Sequence, residues 1–312
     1  SQNFKKVLVQ KFMTKITEKE QKVLTQKPGI PEIREFTKNS APLIHCITNP
    51  ISIHDCANMI LAVGARPIMA EHPEEVEEIT EVSSALMLNL GNITDARIIS
   101  MQRALSTANR KNIPVLLDLV GVTCSQLRRS FAKQLLSQGV FSVIKGNISE
   151  ILAAAELPYH GTGIDAGSQD AVSVENQAWY CESARHLAKH LNCTVMATGK
   201  KDLIADAENA FLVSNGHAAL SGVTGTGCMV GALTAAYLPG SKAIFTKSGI
   251  FETSSIIPDK TKVSYGTAAA LLAAVAMGIS GELAAEISKG PGSFQTALLD
   301  EVYAMTDETL LE

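Results

Sequence analysis

Several features that would place a protein in a specialised class are absent from this sequence. The net charge is only −4, so the composition gives no sign of a nucleic-acid partner or a membrane-surface partner. The six cysteines include no C-x-x-C pair, which argues against a zinc or dithiol motif and favours a reducing, cytoplasmic location. We recognise no signal peptide, and the apolar run Ala268–Ile279 is too short to span a bilayer, so we interpret it as a buried helix.

The length and the apolar content predict one large folded domain. Of the 312 residues, 46% are hydrophobic, which is ample for an extensive core. Residues 1–38 differ from the rest because they are rich in Lys, Glu, Gln and Thr. We predict that they form an N-terminal extension, helical or partly disordered, and that residues 39–312 form a single domain.

Short apolar segments then alternate with segments of helical length along the chain. This alternation predicts an α/β fold in which a mainly parallel sheet is covered by helices on both faces. Leu203–Ala205 and Ala210–Val213 predict a hairpin at one sheet edge, and residues 156–176 and 239–262 predict long loops. The predicted parallel strands are Pro42–Ile47, Ala85–Leu90, Pro114–Leu117, Phe141–Ile144 and Thr194–Ala197.

Polar residues recur where these predicted strands end. They are Asn49, Asp118, Asn147 and Thr198. In open parallel sheets, ligands bind beyond the carboxyl ends of the strands. We therefore predict one composite ligand site that several loops build together.

A glycine-rich loop, Gly222–Cys228, leads directly into an apolar segment of helical length. Its glycines permit backbone conformations closed to other residues, and the helix that follows begins with unpaired N–H groups and a partial positive charge. Gly225, Thr226 and Gly227 are therefore candidates for binding an anion, most simply a phosphate, with Cys228 beside it. The alternative interpretation is a tight turn that only caps a buried helix.

Asp118 and Glu150 are the candidate metal-linked acids. Asp118 ends a strand, whereas Glu150 lies three residues after Asn147 at the start of a helix. The same spacing is typical of a capping box, which is a purely structural role. The functional interpretation is that the two acids share a magnesium ion, which needs few carboxylates and keeps several waters. Arg128, in the preceding helix, is a candidate for a phosphate contact.

These residues belong to a set of segments that resembles the hydroxyethylthiazole kinase family. The segments occur in the family's order and near its spacing. They are Ile47–Thr48–Asn49, Ala57–Asn58, Gly64–Ala70, Lys145–Glu150, Ala197–Thr198–Gly199, Val223–Cys228 and Gly290–Phe294. The resemblance implies a three-layer αβα, ribokinase-like fold and transfer of the ATP γ-phosphoryl to the hydroxyl of 4-methyl-5-(2-hydroxyethyl)thiazole, in thiamine salvage. It also implies a homotrimer with sites near the subunit interfaces.

The resemblance assigns a role to each candidate residue. Met69 and Gly225 match thiazole-binding positions, and Asn49 lies beside them. Arg128 and Thr198 match ATP-binding positions, and we assign Asn147 to the same site. Asp118 and Glu150 match the acids linked to magnesium. Cys228 matches the position that faces the substrate hydroxyl; a lowered pKa at the helix N-terminus would suit it as a base. Thr226 and Gly227 complete the phosphate loop.

Two departures and three alternatives accompany this assignment. The stretch Asp118–Thr123 lacks the family's second glycine, and the residue 1–38 and 239–262 segments exceed the usual length. One alternative is another vitamin kinase, for a hydroxymethylpyrimidine or pyridoxal. A second is an ATP-dependent NAD(P)H-hydrate dehydratase, which normally keeps an Asp where Cys228 stands, and a third is a non-catalytic nucleotide-binding regulator.

Overall fold

The computed structural model describes residues 29–160, 176–248, 251–252 and 262–311. Its centre is an eight-stranded sheet in the order β2-β1-β3-β4-β5-β6-β7-β8. The strands are β1 Leu43–Ile47, β2 Arg66–Ile68, β3 Ala85–Asn89, β4 Val115–Asp118, β5 Val143–Asn147, β6 Thr194–Thr198, β7 Asp202–Ala205 and β8 Ala210–Val213, with a separate pair, β9 Phe251–Glu252 and β10 Lys262–Val263.

The pairing in this sheet confirms the predicted topology. Strands β1 to β6 all pair in parallel, whereas β7 and β8 add on as an antiparallel hairpin at one edge. The central strands are apolar and buried along their length, as expected when helices cover both faces of a sheet. The predicted parallel α/β sheet with an edge hairpin is therefore confirmed.

Helices form a layer on each face of the sheet, and each layer has its own apolar cluster. One cluster includes α2, α8 and α9, while the other includes α4, α5 and α7. The helices are α1 Ile30–Ser40, α2 Ile53–Ala62, α3 Val76–Glu81, α4 Asp95–Arg110, α5 Gln126–Gln138, α6 Ile148–Ala154, α7 Gln177–Leu191, α8 Thr226–Ser248, α9 Tyr265–Ile287, α10 Pro291–Ala304 and α11 Asp307–Leu311. The result is the three-layer αβα architecture.

The prediction of a loop from residue 239 is wrong at its start, because α8 continues through Pro239 to Ser248. A proline inside a helix costs about 3 kcal/mol, so burial of this helix has to outweigh that cost. Gly240 lets α1 pack closely, since a Cβ at that position would lie 3.1 Å from the Ile33 carbonyl oxygen. Residues 249–250 and 253–261, which make up much of the rest of the predicted loop, lie outside the described residues.

The boundary predicted at residue 38 falls inside helix α1. Ile33 is fully buried in the core, and the Arg34 guanidinium contacts Asp307 and the Met305 carbonyl oxygen at the far end of the chain. The folded body therefore includes residues 30–38. Residues 1–28 of the predicted extension, and residues 161–175 of the predicted loop 156–176, lie outside the described residues.

Two of the described helices are long and apolar enough to cross a membrane by length and composition. They are Thr226–Thr246 and Tyr265–Ile287, so the apolar run near residue 268 extends further than its sequence indicated. Inside the protein, however, 72% and 78% of their apolar windows are buried. Both helices are therefore core elements of this fold, which confirms the interpretation of a buried helix.

Candidate active site

Neighbouring strand ends bring the predicted polar residues together at one edge of the sheet. In the register of the sheet, Asn89 pairs with Asp118, and Asp118 pairs with Lys145. Asn147 pairs with Thr198 one strand further along. Parallel strands end at the same edge of the sheet, so these residues share that edge. Asn89 and Lys145 also lie beside the first turn of helix α8: Asn89 Nδ2 is 3.3 Å from Cys228 Sγ, and a Cβ at Gly227 would lie 3.5 Å from Lys145 Nζ.

Cys228 lies in the first turn of α8 and is only 7% exposed. Its Sγ accepts hydrogen bonds from two side-chain amides, Asn49 Nδ2 at 3.4 Å and Asn89 Nδ2 at 3.3 Å. Asn49 is held in turn by the Ile51 and Ser52 backbone N–H groups, which donate to its Oδ1 at 3.1 and 3.2 Å. The thiol is thus fixed by residues from two strand ends and is not a freely rotating side chain.

The pKa of Cys228 contradicts the expectation of a readily formed thiolate. Burial raises the pKa of this thiol, and the nearby Asp118 carboxylate raises it further. Lys145 and the hydrogen bonds from Ser52 and Asn49 act in the opposite direction but do not outweigh these two effects. The helix N-terminus alone does not decide the charge of a sulfur that water hardly reaches.

Asp118 and Lys145 form a buried ion pair. Lys145 Nζ donates to Asp118 Oδ2 at 3.1 Å, and Asn89 Nδ2 donates to the same oxygen at 3.1 Å. Burial raises the pKa of Asp118, partly offset by Lys145. Burial lowers the pKa of Lys145, but the attraction of Asp118, Cys228 and Glu150 outweighs burial, so the pKa of Lys145 is raised overall. This pair places a positive charge directly beneath the glycine loop.

Glu150 forms the capping box that its spacing predicted. Its Oε2 accepts from the Asn147 N–H at 2.7 Å, while Asn147 Oδ1 accepts from the Glu150 N–H at 2.9 Å. Its Oε1 accepts from the Gly121 N–H at 2.6 Å, so both oxygens have backbone donors. Burial raises the pKa of Glu150 to about 7, with a further contribution from Asp118. The structural role is therefore real, and it leaves the carboxyl close to Asp118.

The residues present fit a magnesium ion that arrives with phosphate. Across the described parts of the chain, no three or more His, Cys, Asp or Glu side chains are grouped to hold a metal. Asp118 and Glu150 supply two buried carboxyls instead, and magnesium typically uses one or two carboxylates together with waters and substrate phosphates. Because the charge of Asp118 raises the pKa of Glu150, a cation near the two carboxyls would relieve that repulsion.

The glycine loop has the geometry of an anion site. Gly225 has φ +87°, a left-handed conformation that permits the sharp entry into α8. Thr226 Oγ1 donates to the Leu220 carbonyl oxygen at 2.9 Å and so braces the turn. A Cβ at Gly227 would lie 3.5 Å from Lys145 Nζ, so the ammonium group sits next to the first turn of the helix. Helix N–H groups and a cation thus face the same space.

The three remaining predicted residues lie around this centre. Thr198 ends β6, and its hydroxyl donates to the Gly146 carbonyl oxygen at 3.3 Å. Arg128 lies in the first turn of α5, and its guanidinium packs against Gly121, which has φ +77°. Met69 is half-buried, follows β2 and packs against the core cluster that contains Cys228.

Sequence reasoning missed two residues at the centre of the site, Asn89 and Lys145. Each is a polar residue that directly follows an apolar strand segment, Asn89 at the end of β3 and Lys145 within β5, and this was the available signal. Strand ends of the predicted sheet pointed to the right edge, but only the register places these two side chains on either side of Asp118.

The fold defines the class of protein. A ribokinase-like superfamily protein from Enterococcus faecalis V583 superposes with a TM-score of 0.50 at 13% identity, covering 94% of this chain and 100% of that one. With the mainly parallel sheet, the edge hairpin and the glycine loop that opens a buried helix, the protein has a ribokinase-like fold.

The sequence comparisons identify the family within that class. The hydroxyethylthiazole kinase family profile matches residues 33–308. Hydroxyethylthiazole kinase 2 of Clostridium botulinum (strain 657 / Type Ba4) is 43% identical over 90% of this chain and 97% of its own length. The hydroxyethylthiazole kinase structure from Pyrococcus horikoshii OT3 has a TM-score of 0.74 at 31% identity, covering 90% of this chain and 94% of that one. The chain belongs to the hydroxyethylthiazole kinase family.

Proposed function

We propose that the protein transfers the γ-phosphoryl group of ATP to the hydroxyl of 4-methyl-5-(2-hydroxyethyl)thiazole, with magnesium, as a cytoplasmic enzyme of thiamine salvage. The observation that carries this proposal is the position of Cys228. Its sulfur lies in the first turn of α8, between the glycine loop and the side-chain amides of Asn49 and Asn89. Family membership and the match of these residues to the family's pattern support the same reaction.

The glycine loop would hold the transferring group. The N–H groups of Thr226, Gly227 and Cys228 at the helix start, with Lys145 Nζ beside them, offer donors and positive charge to phosphate oxygens. Phosphoryl transfer depends mainly on such positioning and charge neutralisation, because its transition state is loose. Asp118 and Glu150 would hold magnesium, which supplies neutralisation of phosphate charge when bound. Arg128, Thr198 and Asn147 would contact ATP.

Cys228 would accept the proton of the substrate hydroxyl as a thiolate. Since burial and Asp118 raise its pKa, only a small fraction of this thiol is ionised at neutral pH in the ligand-free protein. A loose transition state needs little basic assistance, so a small fraction suffices. Met69, Gly225 and Asn49 would line the thiazole pocket around this sulfur.

A homotrimer with interfacial sites is part of the proposal. Ile51, two residues before α2, and Leu61, near its end, are 65% and 53% exposed, and a partner subunit would cover such apolar side chains. Light scattering after size-exclusion chromatography measures the mass. A monomer at assay concentration would remove the trimer from the proposal.

The experiment for the reaction is ADP release from MgATP with a panel of alcohols. Hydroxyethylthiazole is expected to give the highest kcat/KM and to yield the thiazole phosphate, identified by mass. Hydroxymethylpyrimidine and pyridoxal serve as matched alcohols, and NAD(P)H hydrate tests the dehydratase chemistry. Turnover of one of these in preference to the thiazole would overturn the proposed substrate.

A further inference from the structure

Asn89 connects the candidate metal-linked acid with the candidate base. Its side chain is fully buried at the end of β3. Nδ2 donates both to Asp118 Oδ2 at 3.1 Å and to Cys228 Sγ at 3.3 Å. A single amide nitrogen therefore bridges the carboxylate of Asp118 and the sulfur of Cys228.

The orientation of this amide is determined by its other partners. Gly91 N–H donates to Asn89 Oδ1 at 2.9 Å, and Asn49 Nδ2 donates to the same oxygen at 3.0 Å. Since a backbone N–H can only donate, the amide oxygen must face Gly91 and the two amide hydrogens must face Asp118 and Cys228. All the hydrogen-bonding capacity of the side chain is thereby used.

The amide belongs to a chain of hydrogen bonds with one direction. Backbone N–H groups at the start of α2 hold Asn49, Asn49 holds Asn89, and Asn89 holds Asp118. Lys145 holds the same Asp118 oxygen from the other side. Fully satisfied buried networks of this kind fix the positions of their members.

From this geometry we infer that Asn89 is a positioning residue for phosphoryl transfer, which sets the separation and orientation of Asp118 and Cys228. The inference rests on the proposed function for the reaction it serves. Asn89 has no free donor or acceptor for the nucleotide or the thiazole ring, because its amide hydrogens and its amide oxygen all bond within the protein. Its loss is therefore expected to lower kcat while leaving KM for both substrates nearly unchanged.

The test uses Asn89→Asp, which has the same shape but replaces the amide donors by carboxylate oxygens, and Asn89→Leu, which removes the hydrogen bonds without adding charge. For both we expect kcat to fall about 10²-fold, the usual upper range for a residue that orients reacting groups, with each KM within about threefold. Leu88→Val is the control, because Leu88 is equally buried but belongs to the apolar cluster on the opposite face of the sheet. It is expected to keep kcat.

A second readout needs no substrate. The rate of iodoacetamide alkylation at Cys228 in the apoprotein, followed by peptide mass, is expected to fall about tenfold in Asn89→Asp, because a donor to the sulfur is replaced by a negative charge. Exposed Cys124 in the same sample is the internal reference. If wild-type protein fails to phosphorylate the thiazole, the proposed function fails, whereas the alkylation result still tests whether Asn89 donates to and positions the sulfur of Cys228.

The inference is overturned if either Asn89 variant keeps kcat within about threefold of wild type, or if alkylation at Cys228 is unchanged in Asn89→Asp. It is also overturned if Leu88→Val loses as much kcat as the Asn89 variants at a similar loss of thermal stability. In that case general loosening of the sheet explains the effect.

Discussion

Glu150 gives the sharpest test of how burial and function are combined at this site. The substitution Glu150→Gln keeps the length of the side chain but removes its charge. In the wild type, both carboxylate oxygens accept backbone N–H groups, from Gly121 and Asn147. Glutamine has one acceptor oxygen, and its NH₂ group would face one of these two donors. We expect these two facing donors to lower the free energy of unfolding by about 1–3 kcal/mol at every pH, the penalty of a buried donor without an acceptor.

The charge of Glu150 adds a contribution to the free energy of unfolding that depends on pH. Its pKa rises from 4.5 to about 7 on folding, mainly through burial. Between these values the folded protein holds a proton that the unfolded chain has lost, so the wild type loses stability as the pH rises. At 1.36 kcal/mol per pH unit, the loss amounts to about 3 kcal/mol in total. The glutamine variant lacks this term entirely.

The two terms predict a difference that changes with pH. At pH 5 the variant is expected to be less stable than wild type, whereas at pH 8 the deficit should vanish or reverse. Urea unfolding of both proteins between pH 4.5 and 8 measures this difference. Asp202, whose pKa burial raises to about 6, is present in both proteins and its pKa shift does not come from Glu150, so its contribution to the difference cancels. Parallel stability curves over the whole range would refute the reasoning.

The same variant tests the metal role separately. With MgATP, kcat is expected to fall about 10²-fold, because neutralisation of phosphate charge is a leading contribution to this chemistry. If the stability curves cross as expected but the rate is that of wild type, Glu150 is a helix cap alone.

Four further substitutions, at three positions, test other parts of the protein. Cys228→Asp is expected to keep or raise the rate and to extend activity toward acidic pH. Cys228→Ala is expected to lower the rate about tenfold to a hundredfold. An inactive Asp variant together with an unimpaired Ala variant would contradict the role of Cys228 as a base. In wild type, the rate should rise with pH, because the thiol's pKa is raised. His45 contacts Thr80 Oγ1 and the Ala70 carbonyl oxygen at 2.8 Å each, and Ala70 directly follows Met69, a proposed thiazole contact. His45→Leu is therefore expected to raise KM for the thiazole about tenfold and to leave KM for ATP unchanged. Gly225→Ala is expected to lower the free energy of unfolding by about 1–2 kcal/mol, because φ at residue 225 is +87°. An unchanged Tm would contradict this expectation.

The sequence alone predicted the parts of this protein that depend on local pattern. Alternating apolar and helical segments predicted the parallel sheet, and Leu203–Ala205 with Ala210–Val213 predicted its edge hairpin. Polar residues at strand ends pointed to the correct edge, because parallel strands all end on the same side. The capping box of Asn147 and Glu150 is equally local, since its two members are only three positions apart.

Tertiary structure decided what depends on contacts between distant segments. Pro239 looked like a helix end, but packing against α1 and α9 carries the helix through it. Asn89 and Lys145 became site residues only because the strand register places both beside Asp118. The pKa of Cys228 is raised because the fold excludes water and brings Asp118 near, two effects with no counterpart in its immediate sequence neighbours. Propensity and periodicity act over a few residues, whereas burial and charge act through space.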